Sequence, residues 1–263
     1  MPDEPDIIPR VWPWLWRGFS SYGARYLKRH FHAVRLSKQS SAAPQAGVPT
    51  IVYLNHPSWW DPMICLALAG SRFSKLRHFA PIDAAMLDKY RFFKRLGFFG
   101  VEPGTRRGAS TFLRTARAIC GQPDTALWIT AQGQFTDVRA RPVRLMPGLS
   151  HLLRHITRAT IIPLAVEYIF WDERLPEAVA HFGPPLDWSG SDQAAADICA
   201  MLERRLETAQ DALAELSSRR DANNFTTLLS GSVGVGGPYD LWRRTKAWAR
   251  GQKFDAAHGR ADS

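Results

Sequence analysis

The chain is short of acidic residues, short of cysteine and without any long apolar run. Asp and Glu total 24 against 34 Lys and Arg, which leaves a net charge of +10. Such a balance favours a negative partner: nucleic acid, an anionic membrane surface, or an acidic carrier or substrate. Nucleic acid is not expected, because zinc-ligand spacings, a helix-turn-helix pattern and an aromatic RNA-binding sheet motif are all missing. Cys65, Cys120 and Cys199 lie far apart in apolar helical patterns. They form neither a disulfide framework nor a metal site, so no metal is expected and a reducing compartment is. No stretch of about 18 apolar residues could cross a bilayer, and the start of the chain carries Asp3, Glu4 and Asp6 where a signal peptide would be basic and then apolar. Any encounter with a membrane is therefore expected from the side. The absence of a Gly-x-Ser-x-Gly elbow removes the sequence basis for a serine hydrolase. The glycine-rich run at 231–238 lacks the Lys-Ser/Thr ending of a phosphate loop and reads as a hinge.

What is present is an alternation of short apolar runs and helical patterns from residue 50 to about 187, the signature of an α/β domain. Strands are expected at 50–54, 77–81, 98–102, 125–130, 160–167 and 179–183. Helices are expected at 61–70, 84–96, 107–120 and 147–157, and a polar-faced one at about 191–218. Before them, residues 10–38 place Val11, Leu15, Phe19, Tyr22 and Tyr26 three and four apart among Arg17, Arg25, Lys28, Arg29, Arg35 and Lys38, with Trp12, Trp14 and Trp16 at the start. That pattern predicts an amphipathic helix, either lying in a membrane interface or packed on its own domain. A second basic, Trp-bearing helical stretch is expected at 239–250. The resulting organisation is an N-terminal amphipathic helix and linker (1–49), an α/β domain with a mixed sheet flanked by helices (50–220), and a hinge with a C-terminal basic helix (221–263).

Chemistry concentrates in Asn55-His56-Pro57-Ser58-Trp59-Trp60-Asp61-Pro62, where the apolar strand 50–54 runs into a helix with Asp61 as its expected N-cap, Pro62 at its first position and Gly70 closing it. A neutral imidazole in such a turn can take a proton from a hydroxyl while a carboxylate holds its other nitrogen protonated. The nucleophile would come with the substrate. The alternative is that Asp61 only caps a helix, and a second His-x4-Asp, His78 to Asp83, shows that the spacing can recur without meaning. The first copy is preferred for the strand, turn and helix around it.

Asn-His-x4-Asp-Pro after a strand resembles the first motif of the glycerolipid acyltransferases, the family that includes the lysophosphatidic acid acyltransferases. Later blocks follow in the same order: Leu96 to Glu102 resembles the second, Trp128-Ile129-Thr130-Ala131-Gln132-Gly133 the third, and Ile161-Ile162-Pro163-Leu164-Ala165-Val166 the fourth, with Met146-Pro147-Gly148 at the place of a Phe-Lys-x-Gly turn. The resemblance implies acyl transfer from a thioester of coenzyme A or acyl carrier protein to a lipid hydroxyl in phospholipid biosynthesis, with no bound cofactor, on the cytoplasmic face of a membrane. His56 would be the general base and Asp61 its orienter, with Asn55, Ser58, Gln132 and Gly133 at the substrate. The family's Glu is here Gln132, and its two Arg positions fall on Pro103 and Phe135. Either Arg106, Arg107, Arg139 and Arg141, with Arg144 nearby, rebuild a phosphate clamp, or the acceptor carries a less charged headgroup. The altered third block also leaves a non-catalytic membrane-surface protein on the same scaffold as an alternative, against which the intact His56 and Asp61 argue.

Overall fold

The computed structural model of the protein describes residues 7–231; the expected hinge beyond Gly231 and the helix at 239–250 lie outside them. The strand expected at 50–54 is β2 (Thr50–Leu54), and all five of its residues are buried. It runs between β5 (Thr125–Thr130) and β6 (Ala159–Ile169), parallel to both. A strand covered on both faces needs an unbroken apolar run, and Ile51-Val52-Tyr53-Leu54 supplies one. Ile51 and Tyr53 face one core with Phe112, Ile119 and Leu202, which come from α4 (Arg106–Cys120) and α6 (Ala195–Ser218). Val52 and Leu54 face the other, with Leu27 of α1 (Pro13–His30) and Ile64 and Leu68 of α2 (Asp61–Arg72). This is the period-two alternation of a strand used on both sides.

The architecture is α/β, a mixed nine-stranded sheet flanked by helices. The remaining elements are β1 (Ala33–Ser37), β3 (Arg77–Asp83), α3 (Ala84–Lys89), β4 (Phe98–Val101), α5 (Gly148–Leu153), β7 (Glu177–Phe182), β8 (Leu186–Trp188) and β9 (Phe225–Ser230). The strand order is β4-β3-β5-β2-β6-β7-β1-β9, with β8 on β6. The strands from β4 to β6 are parallel, and β7 and β9 enter antiparallel.

Several expectations are corrected here. The helix expected over 10–38 ends at His30, and residues 33–37 form β1 beside β7. The three-and-four spacing stops at Tyr26, and the buried Phe31, Val34 and Leu36 that follow belong to the core shared by α1 and α2. Arg35 is accordingly no flanking surface charge: it pairs with the buried Glu177 and reaches Thr227 at 2.7 Å. The helix expected over 84–96 breaks at Tyr90 into α3 and a 3-10 turn, Arg91–Leu96, which Gly97 ends at a φ of 94°. There a β-carbon would strike the His78 carbonyl oxygen. The helix expected over 147–157 is confined to α5, and β8 and β9 form where no strand was expected. Through β1 and β9 the sheet draws on residues either side of positions 49 and 220.

Candidate active site

Asn55 and His56 leave the sheet at the carboxyl edge of β2, the edge where open parallel sheets place their ligand crevices. Asn55 is buried, and its side chain is engaged by the backbone. Its Nδ2 donates to the Val166 carbonyl and its Oδ1 accepts from the Val166 N–H, both at 2.9 Å, so the side chain extends the β2–β6 ladder by one more pair. The next residue is held by its backbone. The His56 N–H donates to Gln132 Oε1 at 2.8 Å, and its carbonyl accepts from the Thr136 N–H at 2.9 Å. A neutral amide oxygen is all that the first of these bonds requires.

His56 Nδ1 lies 2.6 Å from Asp61 Oδ2. The same oxygen accepts from the Ser58 N–H at 3.2 Å, and Oδ1 accepts from the Tyr168 hydroxyl at 2.6 Å. Asp61 is wholly buried, while the His56 side chain keeps 18% of its surface exposed. With Nδ1–H donating to the carboxylate, Nε2 is left as a lone-pair acceptor, the arrangement of a general base with its orienter. Asp61 is thereby not the helix cap expected of it: Trp60 occupies the cap position without a side-chain bond, Asp61 is the first helical residue, and α2 runs past Gly70 to Arg72. Its carboxylate is turned back on the His56 turn instead. Ser58 shapes that turn, its Oγ accepting from the Trp60 N–H at 3.3 Å.

The other His-x4-Asp is not assembled. His78 is buried, its Nδ1 accepts from Trp128 Nε1 at 3.2 Å, and Trp16 stacks on it at 4.9 Å. Burial lowers its pKa to about 4, so it is a neutral core histidine. Asp83 is exposed and caps α3 by accepting from the Ala85 N–H at 2.8 Å.

One residue at the site, Tyr168, was not anticipated, and another, Phe135, was noted only as the place of a missing Arg. Tyr168 lies two places beyond Val166 on the row of β6 that faces α2 (Ile162, Leu164, Val166), and it brings a polar tip to the end of an otherwise apolar row. That parity was the available signal. Burial, and then the negative charge of Asp61, push its hydroxyl well above the ordinary tyrosine range, so it stays a donor. Phe135 sets its ring 4.5 Å from that of His56 while remaining 62% exposed. Cys65 also lies by Asp61, and burial and that charge push its thiol up, away from thiolate chemistry.

Four of the five arginines named for a phosphate clamp, Arg107, Arg139, Arg141 and Arg144, lie against carboxylates. Arg139 binds Asp137 at 2.9 and 2.7 Å and holds that carboxyl well below its usual range. Arg141 binds Asp211 at 2.5 Å, Arg144 lies 3.4 Å from Glu203, and Arg107 lies 3.7 Å from Glu102. Among the described residues Arg106, at the exposed start of α4, has no acidic partner. Gly133 takes a φ of 70° in the turn after β5, where a β-carbon would meet Met146 at 2.6 Å. Met146 is brought there by its N–H, which donates to the Ala131 carbonyl at 2.8 Å. No three His, Cys, Asp or Glu side chains among the described residues converge on a possible metal position.

The fold and site together define a class: an α/β protein with a mixed sheet and a His–Asp pair at the carboxyl edge of its central parallel strands. The fold is similar to that of the 1-acyl-sn-glycerophosphate (LPA) acyltransferase, PlsC, from Thermotoga maritima, with a TM-score of 0.52 and 13% sequence identity over 78% of this chain and 81% of that one. At that identity the likeness is one of fold. No protein-family model and no curated protein sequence matches the chain.

Proposed function

We propose that the protein is an acyltransferase that moves a fatty acyl group from a thioester, on coenzyme A or acyl carrier protein, to the hydroxyl of a lipid acceptor such as a lysophospholipid. The observation that carries this reading is the His56–Asp61 pair at the crevice edge of a sheet shared with a lysophosphatidic acid acyltransferase. His56 Nε2 takes the acceptor's hydroxyl proton as the oxygen attacks the thioester carbonyl carbon. The tetrahedral adduct collapses with cleavage of the C–S bond, and the departing sulfur takes that proton from the imidazolium. Asp61 offsets the transient positive charge on the ring.

The protein works at a membrane surface in this reading. Ring contacts run without a break from Tyr90, Phe92 and Phe93 across Phe19, Tyr22 and Tyr26 of α1 to Trp60 and Trp59, in the turn that carries His56. Tyr22, Trp59, Tyr90, Phe92 and Trp14 are exposed, with Arg17, Arg25, Lys28 and Arg29 beside them. The inner side of α1 packs on α2 through Gly23 and Leu27, as the domain-packing expectation had it, and in this reading the opposite face meets the lipid. Aromatic rings with cationic neighbours suit an anionic lipid interface. No described helix is long and apolar enough to cross a membrane.

For the acceptor, a second reading is favoured by Phe135 and by the carboxylates bound to Arg139 and Arg141: a hydroxyl lipid without a phosphate monoester. One experiment tests both. The purified full chain is offered acyl-coenzyme A or acyl carrier protein with lysophosphatidic acid, monoacylglycerol and a glycolipid, and products are read by mass. Ester product lost in His56→Ala is expected; product that survives in His56→Ala removes the proposal.

A further inference from the structure

We infer that Tyr168 is a positioning residue of the candidate site, a third member that locks the Asp61 carboxylate onto His56. The inference rests on the acyltransferase reading only for its kinetic arm. Its basis is an inventory of the bonds made by one wholly buried carboxylate. Asp61 Oδ2 accepts from His56 Nδ1 and from the Ser58 N–H, whereas Oδ1 has one donor among the described residues, the Tyr168 hydroxyl at 2.6 Å. A carboxylate on a short side chain turns readily about its last bond, which is broad and two-fold. With Oδ1 tied to Tyr168, the oxygen presented to His56 does not exchange with its twin.

Tyr168 is suited to this by its mounting. It pairs with Ala178 across β6 and β7, and its ring lies 5.8 Å from that of Phe31. The lock is therefore anchored in the sheet, 107 residues away in sequence, and not in the turn it controls. The ionisable groups facing Asp61 are His56, Tyr168 and Cys65; burial and the Asp61 charge keep the latter two protonated. Tyr168 thus donates at every pH at which His56 can act.

The test is Tyr168→Phe in the full chain. The expected result is a fall in kcat of about ten- to a hundredfold, the scale of a lost charge-assisted hydrogen bond, with KM for the acceptor unchanged. In an Asp61→Asn background the same change should cost less than about twofold, because no charge remains to be positioned. A readout free of activity is the Nδ1–H proton resonance of His56 in histidine-labelled protein, which should shift in Tyr168→Phe. If no acyl thioester is turned over by the parent protein, this resonance decides alone, so failure of the function and failure of the lock are separable. Should the variant not fold, the parent labelled with 3-fluorotyrosine takes its place: the fluorine resonance of Tyr168 should move on Asp61→Asn. Unaltered kcat and an unaltered His56 resonance in folded Tyr168→Phe, or a fluorine signal indifferent to Asp61→Asn, overturns the inference.

Discussion

Replacing Asp61 with Asn isolates the charge of the pair from its shape. The amide oxygen can keep the bonds from His56 Nδ1 and the Ser58 N–H, and the amide nitrogen can meet the Tyr168 hydroxyl, so packing in a wholly buried position is retained. What disappears is the negative charge 2.6 Å from the ring nitrogen. At an effective dielectric near 20, a pair at that distance interacts by roughly 6 kcal/mol. Solvent reaches His56, so about half to two-thirds of this is expected in the rate, roughly 3 to 4 kcal/mol. The acyl-transfer step should slow by about two to three orders of magnitude. Single-turnover rapid quench with saturating thioester and acceptor measures that step directly, and near-ultraviolet circular dichroism confirms the fold. Asp83→Asn is the internal control and should stay within about twofold, because Asp83 only caps α3. A loss of less than tenfold in folded Asp61→Asn would refute the electrostatic argument.

Three further outcomes are expected. The pKa of His78 is lowered from an ordinary 6.5 to about 4, so the unfolded chain takes up this proton first. The contribution of His78 is complete above pH 6.5 and is lost as pH falls towards 4, by about 3 kcal/mol. Urea melts across that window should show the loss, and His78→Gln should flatten it. Asn55→Ala strands the N–H and carbonyl of Val166 in the interior. It should destabilise the protein by about 2 to 4 kcal/mol in urea melts, and a loss under about 0.5 kcal/mol would mean that water replaces the amide. Phe135→Arg places a cation beside His56 and should raise kcat/KM for lysophosphatidic acid over monoacylglycerol about tenfold. An unchanged ratio would show that position 135 does not read the headgroup.

What the residues themselves determine lies within short reach along the chain. The apolar run of β2, the turn after it and the proline-started α2 place His56 at a strand's end, and the alternation that follows marks an α/β domain. These features depend on periodicity and on turn chemistry, which neighbouring residues decide between them. The choice between the two His-x4-Asp copies was less legible, since both run from a strand into a helix and only the fold buries His78 within β3 while Asp83 caps α3. Other features depend on residues far apart. Residues 33–37 form a strand because β7 and β9 lie on either side, a fact their own spacing does not carry. The arginines near the third block read as free cations until the fold brings Asp211 and Glu203 of α6 against two of them. Tyr168 reaches Asp61 across 107 residues, and only the pairing of β2 with β6 makes them neighbours. Local pattern thus determined where the histidine stands, and tertiary packing decided what holds it, because a hydrogen bond is formed by proximity in space and leaves no period in the chain.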